Sequence, residues 1–176
     1  MPVPSYSVVP IHHHQQLFDQ CVHLINSEWP RSYTARLWSL KASKDTLPTS
    51  FVLIKQCVES DTNGPTVLAH AKLSPVPADE EAVLVESVVV DRRCRGQGLG
   101  RLLMNEIENH CFCALRLKTI YLSTIDQDGF YNKLGYTYCK AINMFGTRIS
   151  SNNCTKKIWM VKRISDYHRK DSSIGI

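Results

Sequence analysis

Apolar positions along the chain change period several times, and each change marks an element. Residues 6–11 alternate and read as a first strand. From His14 onward Leu17, Phe18, Cys21 and Ile25 recur at helical spacing, which predicts an amphipathic helix over 14–27. Pro30 ends it, because the residue before a proline is pushed out of the helical region. A second short helix follows over 32–41, with Leu37 and Leu40 inward. Residues 51–58 are rich in β-branched and aromatic side chains and read as a strand, and 61–65 (Asp-Thr-Asn-Gly-Pro) as a turn. Residues 67–74 alternate, with Val67, Ala69, Ala71 and Leu73 on one face and His70 and Lys72 on the other. A polar loop over 75–81 then leads to the most apolar segment, 82–90, expected as a central strand.

The longest helical pattern covers 98–118, with Leu99, Leu103, Ile107, Cys111 and Ala114 along one stripe. Residues 119–124 read as a strand, and 129–134 as a short helix closed by Gly135, a good residue for a helix C-terminus. Residues 136–142 and 157–163 complete the strands, joined by a polar loop over 143–155. The order β-α-α-β-β-β-α-β-α-β-β predicts an α/β fold: a mixed, mostly antiparallel seven-stranded sheet with about four helices on both faces.

Composition narrows the class. With 176 residues, 43% hydrophobic and 21% charged, the chain suits one soluble globular domain rather than a disordered or fibrous one. No run approaches the roughly 18–20 apolar residues of a membrane span. The first residues lack the basic-then-apolar pattern of a signal peptide, so a cytoplasmic location and no membrane partner are expected. Seven cysteines, an odd number without a Cys-x-x-Cys pair, read as free thiols in a reducing compartment.

A net charge of +5 favours an acidic ligand or partner. No basic stripe interleaved with aromatics points to nucleic acid. The cluster Lys156, Lys157, Lys162, Arg163, Arg169 and Lys170 reads as a solvated strand face and tail. The tract His12–His14 has no Cys or acidic neighbour in sequence, so it reads as the solvated entry to a helix, with no metal expected. Asp79, Glu80 and Glu81 read as a loop run.

Chemistry concentrates in 85–104, where a buried strand runs into a glycine-rich turn that opens the long helix. Gly96, Gly98 and Gly100 allow a tight turn and close approach of a ligand to the backbone. The first helical N–H groups have no intrahelical partner, and Arg95 and Arg101 add charge, which makes a site for phosphate or pyrophosphate. No lysine follows the glycines as a P-loop requires. The third glycine comes one residue too early for a dinucleotide fingerprint, and the opening βαβ unit is missing.

Residues 95–100, Arg-Gly-Gln-Gly-Leu-Gly, match the Arg/Gln-x-x-Gly-x-Gly/Ala acetyl-CoA motif of the GCN5-related N-acetyltransferase (GNAT) superfamily. Residues 130–136, Phe-Tyr-Asn-Lys-Leu-Gly-Tyr, resemble that superfamily's second signature after the fifth strand. The two lie in the right order and distance, and the element order covers nearly the whole chain. Residues 1–165 are therefore expected to form a single GNAT domain, and 166–176 a flexible C-terminal tail. A narrower resemblance, in residues 25–40, 70–73, 85–90 and 126–131, is to the actin-specific branch of the N-terminal acetyltransferases. It implies acetyl transfer to the α-amine of proteins with an acidic N-terminus, with processed actin as partner. Vertebrate members of that branch carry proline-rich segments tied to profilin binding. This chain has eight prolines and no polyproline run, a departure that keeps the profilin link from being carried over to it.

The resemblance also assigns roles. Val88, Val89 and Val90 would lend backbone groups to the acetyl and pantetheine arm, or simply fill the core. Arg95, Gly96, Gln97, Gly98, Leu99, Gly100 and Arg101 would hold the pyrophosphate. Gln127 would touch the cofactor or serve only as a turn residue. Tyr131 would be the general acid that protonates the departing sulfur, a thiol near pKa 8.5 against about 10 for Tyr, or else a packing aromatic. The base stays open between Glu86, which shares parity with Val88 and Val90 along the strand, and His70, whose ordinary pKa near 6.5 suits the task. Trp29, Arg31, Arg36 and Lys41 belong to the segment that lines the peptide mouth, with His70 beside them. Cations there suit acidic side chains. Two other classes remain: a small-amine acetyltransferase of the same fold, and a non-catalytic module that binds acyl-CoA or actin.

Overall fold

The computed structural model describes residues 5–56, 64–144 and 157–165. Seven strands hydrogen-bond in the order β1-β2-β3-β4-β5-β7-β6. They are β1 (Tyr6–Pro10), β2 (Thr49–Lys55), β3 (Thr66–Val76), β4 (Asp79–Val90), β5 (Thr119–Thr124), β6 (Thr137–Tyr138) and β7 (Ile158–Arg163). Four helices interrupt them: α1 (Phe18–Glu28), α2 (Tyr33–Lys41), α3 (Leu99–Asn109) and α4 (Asp128–Lys133). β1–β2, β2–β3, β5–β7 and β6–β7 are antiparallel, and β4–β5 is parallel. A parallel pair needs a crossover, and the glycine turn with α3 supplies it. This is the predicted element order and a mixed, mostly antiparallel sheet.

The chain packs as two compact units, Met1–Leu73 with Ser87–Ile107 and Ser74–Glu86 with Glu108–Ile176. In the first, α1 and α2 cover one face of β1–β3. Cys21, Val22, Ile25 and Leu40 pack with Val52, Ile54, Val67 and Val89. Phe51 and Leu53, of opposite parity, are equally buried, so both faces of β2 are covered. An extra residue in β3 opposite Leu53/Ile54 turns Val67 to the same face as Ile54. Ser32 caps α2, its hydroxyl accepting the N–H of Ala35. Trp29 is already extended before Pro30, as the proline dictates.

In the second unit Val76, Ala82 and Leu84 pack with Tyr121, Ile142, Met144 and Trp159. Ile120, Leu122 and Met160 are also buried, on the opposite parity of β5 and its partner β7. Lys162 was expected on a solvated face and is instead buried. Its ammonium pairs with Glu108, donates to the carbonyl of Leu134 at 2.8 Å and lies over the Tyr136 ring. A buried ammonium requires such partners.

Several boundaries differ from the sequence pattern. The expected helix over 14–27 begins as tight 3-10 turns at Ile11–His13 and Gln15–Leu17 and becomes α-helical only at Phe18. The 75–81 segment is not a polar loop. β3 continues through Val76, a two-residue turn at 77–78 follows, and β4 starts at Asp79, so the acidic run opens a strand. The long helix is α-helical to Asn109, then widens into a π-helical turn at His110–Ala114. The strand expected over 136–142 pairs at Thr137–Tyr138, with one further bond from the Cys139 N–H to the carbonyl of Trp159 at 2.9 Å. Expectations for residues 57–63, 145–156 and 166–176, including Cys57, Cys154 and the tail, lie outside the described residues.

Candidate active site

In the first unit β4 delivers the chain into the glycine turn. The N–H of Asp91 donates to the carbonyl of Leu68 at 2.8 Å, which fixes the end of the strand on β3. Gly96 and Gly98 sit at φ +78° and +81°, a left-handed region where only glycine is free of strain, whereas Gly100 is in the first turn of α3. An added Cβ on Gly96 or Gly98 would meet nothing within 4 Å, so space is open above the turn. The carbonyl of Gly98 accepts the N–H of Leu102, which leaves the N–H groups of Leu99, Gly100 and Arg101 unbonded within the helix. Two left-handed glycines, free N–H groups and an exposed Arg101 make a cradle that fits a pyrophosphate.

Arg95 is not free in this cradle. Its Nε donates to the carbonyl of Val90 at 3.0 Å and its Nη2 to Glu28 at 3.0 Å. Arg92 reaches the same Glu28 oxygen at 3.3 Å. Arg95, with Arg92, holds the Glu28 carboxyl below the usual carboxylate range. Glu28, at the end of α1, thus ties that helix to the turn. Sequence reading missed it because only the fold brings residue 28 to residue 95. Gln97 is exposed. Val89 is buried in the α1 core, while Val88 and Val90 are half-buried.

His70 lies opposite Val52 in the β2–β3 ladder, so its ring joins the face covered by α1 and α2. It is 1% exposed. Its Nδ1 is 2.9 Å from the carbonyl of Ser87, which fixes the tautomer with Nδ1–H donating. Nε2 then carries a lone pair, is buried, and has no partner among the described residues. A buried polar atom without a protein partner marks a place where a ligand group can bond. Burial, with Arg36 and Lys72 nearby, pushes the His70 pKa down to about 4, against an opposing lift from the Ser87 carbonyl. The ring is therefore neutral at pH 7. The ordinary value near 6.5, expected to suit a base, does not apply here.

Ser87 is the residue that aims this imidazole, and it does so at φ +54°. A serine in the left-handed region inside a strand is an outlier of the kind found at functional sites. It also breaks the alternation of β4, so the parity that linked Glu86 to Val88 and Val90 does not run through. No composition signal marks Ser87 in the sequence.

The α1–α2 corner carries the expected mouth residues. Arg36 donates from Nε to Asn26 Oδ1 at 3.1 Å and from Nη2 to the carbonyl of Trp29 at 2.8 Å, and Asn26 Nδ2 donates to the carbonyl of Arg31 at 2.9 Å. Trp29, Arg31 and Arg36 are thus brought together, with Trp29 44% exposed and Arg31 exposed. Lys41 is not part of this set. Five residues along a helix is about 7.5 Å and about 140° round the axis from Arg36, and its ammonium lies over Trp38, 5.6 Å from the ring centre.

The second unit holds Tyr131, Glu86 and Gln127. α4 starts after Gln127, whose carbonyl accepts the N–H groups of Phe130 and Tyr131 and whose N–H donates to Thr124 Oγ1 at 3.0 Å. The Gln127 side chain is exposed. Gly135, at φ +93°, closes the helix, as its sequence position predicted. Tyr131 is buried edge-on to Phe130 and Tyr136, with ring centres 5.0 and 5.8 Å away. Burial pushes its pKa up to about 12, so it stays a neutral O–H donor at any working pH. Glu86 is half-buried and accepts the hydroxyl of Ser74 at 2.6 Å.

Comparison with known proteins places the chain in a family and a fold. Residues 18–136 match the sequence profile of the acetyltransferase (GNAT) family. The chain is 42% identical over 124 residues, 69% of its own length, to mouse (Mus musculus) N-alpha-acetyltransferase 80, and it spans only 38% of that relative. Among solved structures, an aminoglycoside 6'-N-acetyltransferase complexed with coenzyme A superposes with a TM-score of 0.65 at 19% identity, over 90% of this chain and 97% of that one. The ribosomal-protein-S18-alanine N-acetyltransferase of Escherichia coli gives 0.63 at 16% identity, over 91% and 94%. At such identities these structures establish the fold alone.

Proposed function

From the premise that this chain belongs to the GNAT acetyltransferase family, we propose that it transfers acetyl from acetyl-CoA to the α-amine of proteins with an acidic N-terminus, processed actin among them. The observation that carries the reading is the first unit's pairing of an open glycine cradle with the orphaned Nε2 of His70 on the neighbouring strand. Similarity to an N-alpha-acetyltransferase supports a protein N-terminus as the acceptor.

In the proposed reaction the amine nitrogen bonds to the acetyl carbon, the carbon–sulfur bond breaks, and the thiolate takes up a proton. No covalent enzyme intermediate is needed. An α-amine of pKa about 7.7–8.0 is roughly one tenth neutral at pH 7, so no strong base is required to create the nucleophile. Nε2 of His70 accepts a hydrogen bond from that neutral amine and takes its surplus proton as the new bond makes the nitrogen acidic. Glu86 keeps a role through solvent as the alternative base. Tyr131, neutral through burial, gives its hydroxyl proton to the sulfur and regains one from solvent. A backbone N–H near Val88 steadies the carbonyl oxygen as charge develops. Arg31 at the Trp29 corner attracts acidic side chains of the acceptor, and the fixed charge of Arg36 adds to the field. Free thiols and no helix long and apolar enough to cross a membrane, among the described residues, fit a cytoplasmic setting.

A peptide panel tests this. Peptides beginning Asp-Asp-Asp or Glu-Glu-Glu should give far higher kcat/KM than those beginning Met-Leu or Ser-Gly. Their advantage should shrink as salt shortens the Debye length from about 10 Å at 0.1 M to about 3 Å at 1 M. Arg31→Glu should cut the acidic peptide's kcat/KM and spare acetyl-CoA affinity. Equal rates for acidic and neutral peptides would replace this reading with a general amine acetyltransferase, and no turnover of any amine would leave an acyl-CoA-binding module.

A further inference from the structure

Away from the catalytic elements, three side chains of the first unit converge on one point. His12 and His13 lie in the tight turn after β1, and Asp45 lies in the loop between α2 and β2. Nε2 of His12 is 2.9 Å, and Nε2 of His13 is 3.0 Å, from the same oxygen, Asp45 Oδ1. All three ligand atoms lie within 4.8 Å of one another. Around tetrahedral zinc, ligands about 2.0–2.2 Å from the ion stand roughly 3.3 Å apart, so small side-chain rotations suffice to admit a cation. The tract His12–His14 lacks an acidic partner in sequence. The fold supplies one from 32 residues farther on.

The site has a supporting layer. Nδ1 of His12 is 2.9 Å from Ser43 Oγ, and that buried hydroxyl also accepts the N–H of Ser50 at 2.9 Å. Without a cation the His12 Nε2–H donates to Asp45, and on metal binding Nδ1–H donating to Ser43 leaves the Nε2 lone pair for the ion. This is the second-layer hydrogen bond that orients metal-binding histidines. His13 and Asp45 are exposed, so further coordination positions open to water.

We propose that His12, His13 and Asp45 form a binding site for a divalent transition-metal cation, with zinc the physiological fit. Two imidazoles and one carboxylate suit zinc, cobalt, nickel or copper. Magnesium and calcium call for oxygen ligands throughout. The bound cation replaces the two protons that otherwise let both imidazoles share one carboxylate oxygen. It ties the turn after β1 to the loop after α2, and so fixes the C-terminal end of the helix that carries Arg36. Its role is to hold that part of the fold, and no reaction step passes through it.

The test uses untagged protein stripped with a chelator and titrated with zinc against a chromophoric competitor. One equivalent should bind at micromolar concentration or tighter and raise the melting temperature. Asp45→Asn and His12→Ala should each weaken binding by at least about tenfold and remove the thermal shift. His14→Ala should leave both unchanged. Asp45 is exposed, so its variant tests the site without disturbing the core. Cobalt loading separates this site from the seven cysteines, because a thiolate ligand adds a charge-transfer band that imidazole and carboxylate do not. Absence of binding at micromolar zinc, equal binding in the Asp45 and His12 variants, or a thiolate band in the cobalt protein would overturn the proposal.

Discussion

Replacing Gly98 and Gly100 by alanine, one at a time, separates what the glycine turn needs for folding from what it needs for its ligand. Gly98 sits at φ +81°. Forcing an L-residue into that region costs about 1–2 kcal/mol. Nothing lies within 4 Å of the added Cβ, so no clash adds to the cost. For a chain of this size the loss corresponds to a melting temperature lower by about 2–8 °C. Gly100 is in the first turn of α3, where alanine is the better helix former by about 0.8–1.0 kcal/mol in a helix interior and by less near an end. Gly100→Ala is therefore expected to be neutral or slightly stabilising.

The ligand makes the two variants alike. If the pyrophosphate rests against the turn and the free N–H groups of Leu99, Gly100 and Arg101, either methyl group stands in the way of close approach. Both variants should bind acetyl-CoA at least about tenfold more weakly, which is a loss of about 1.4 kcal/mol. Calorimetry of binding and thermal melting of the same samples give the two numbers. Gly98→Ala melting like wild type would refute the left-handed turn. Unchanged acetyl-CoA affinity in both variants would remove the pyrophosphate from the cradle, whatever the melting shows.

Two further outcomes follow from buried groups. Tyr131→Phe should lower kcat by about 10²-fold or more with little change in either Michaelis constant, as expected for loss of a general acid; an unaltered kcat under rate-limiting chemistry would return Tyr131 to packing against Phe130 and Tyr136. His70 has its folded-state pKa depressed to about 4. The unfolded chain, titrating near 6.5, therefore binds more protons between those values, and stability contributed by the neutral ring is present above pH 6.5 and lost as pH falls toward 4. The loss is on the order of 3 kcal/mol, and denaturant melts of His70→Gln should lack that part of the pH dependence; an identical profile in the variant would contradict the burial argument.

How much of this was legible in the sequence depended on how local the determining physics is. β5 falls at Thr119–Thr124, as read from the sequence, because polar residues bound it on both sides. The turn at 95–100 was legible because glycine is needed there for a backbone reason, and the end of α4 at Gly135 was legible for the same one. The β3–β4 hairpin was not. Pro75 and Pro77 look like loop residues, yet proline's fixed φ suits extended chain wherever no ladder N–H is needed, and Val76 between them is buried. β6 was overread because alternation says nothing about where a partner strand stops. Ser87, Glu28 and Asp45 were invisible as partners of the candidate residues. Each acts on a residue distant in sequence: Ser87 on His70, Glu28 on Arg95, and Asp45 on His12.

Arg36 shows why charge counting along α1 and α2 does not by itself describe the corner between them. Its Nε and Nη2 are committed to Asn26 and to the carbonyl of Trp29, so it holds the corner that presents Trp29 and Arg31. Its guanidinium nevertheless stays charged, since no protein environment deprotonates it. That charge acts on His70 as well, helping to keep the imidazole neutral with its lone pair available. On the proposed reading, an acidic acceptor side chain arriving at the corner offsets the field of Arg36, and the His70 lone pair then becomes more basic. An acidic N-terminus would thus raise the competence of the site as well as its occupancy, whereas a neutral peptide of the same length would gain only the occupancy. Arg31 joins the corner's hydrogen bonds through its carbonyl, while its exposed guanidinium is free to attract the acceptor. Removing its charge tests recognition while leaving the carbonyl that Asn26 holds in place.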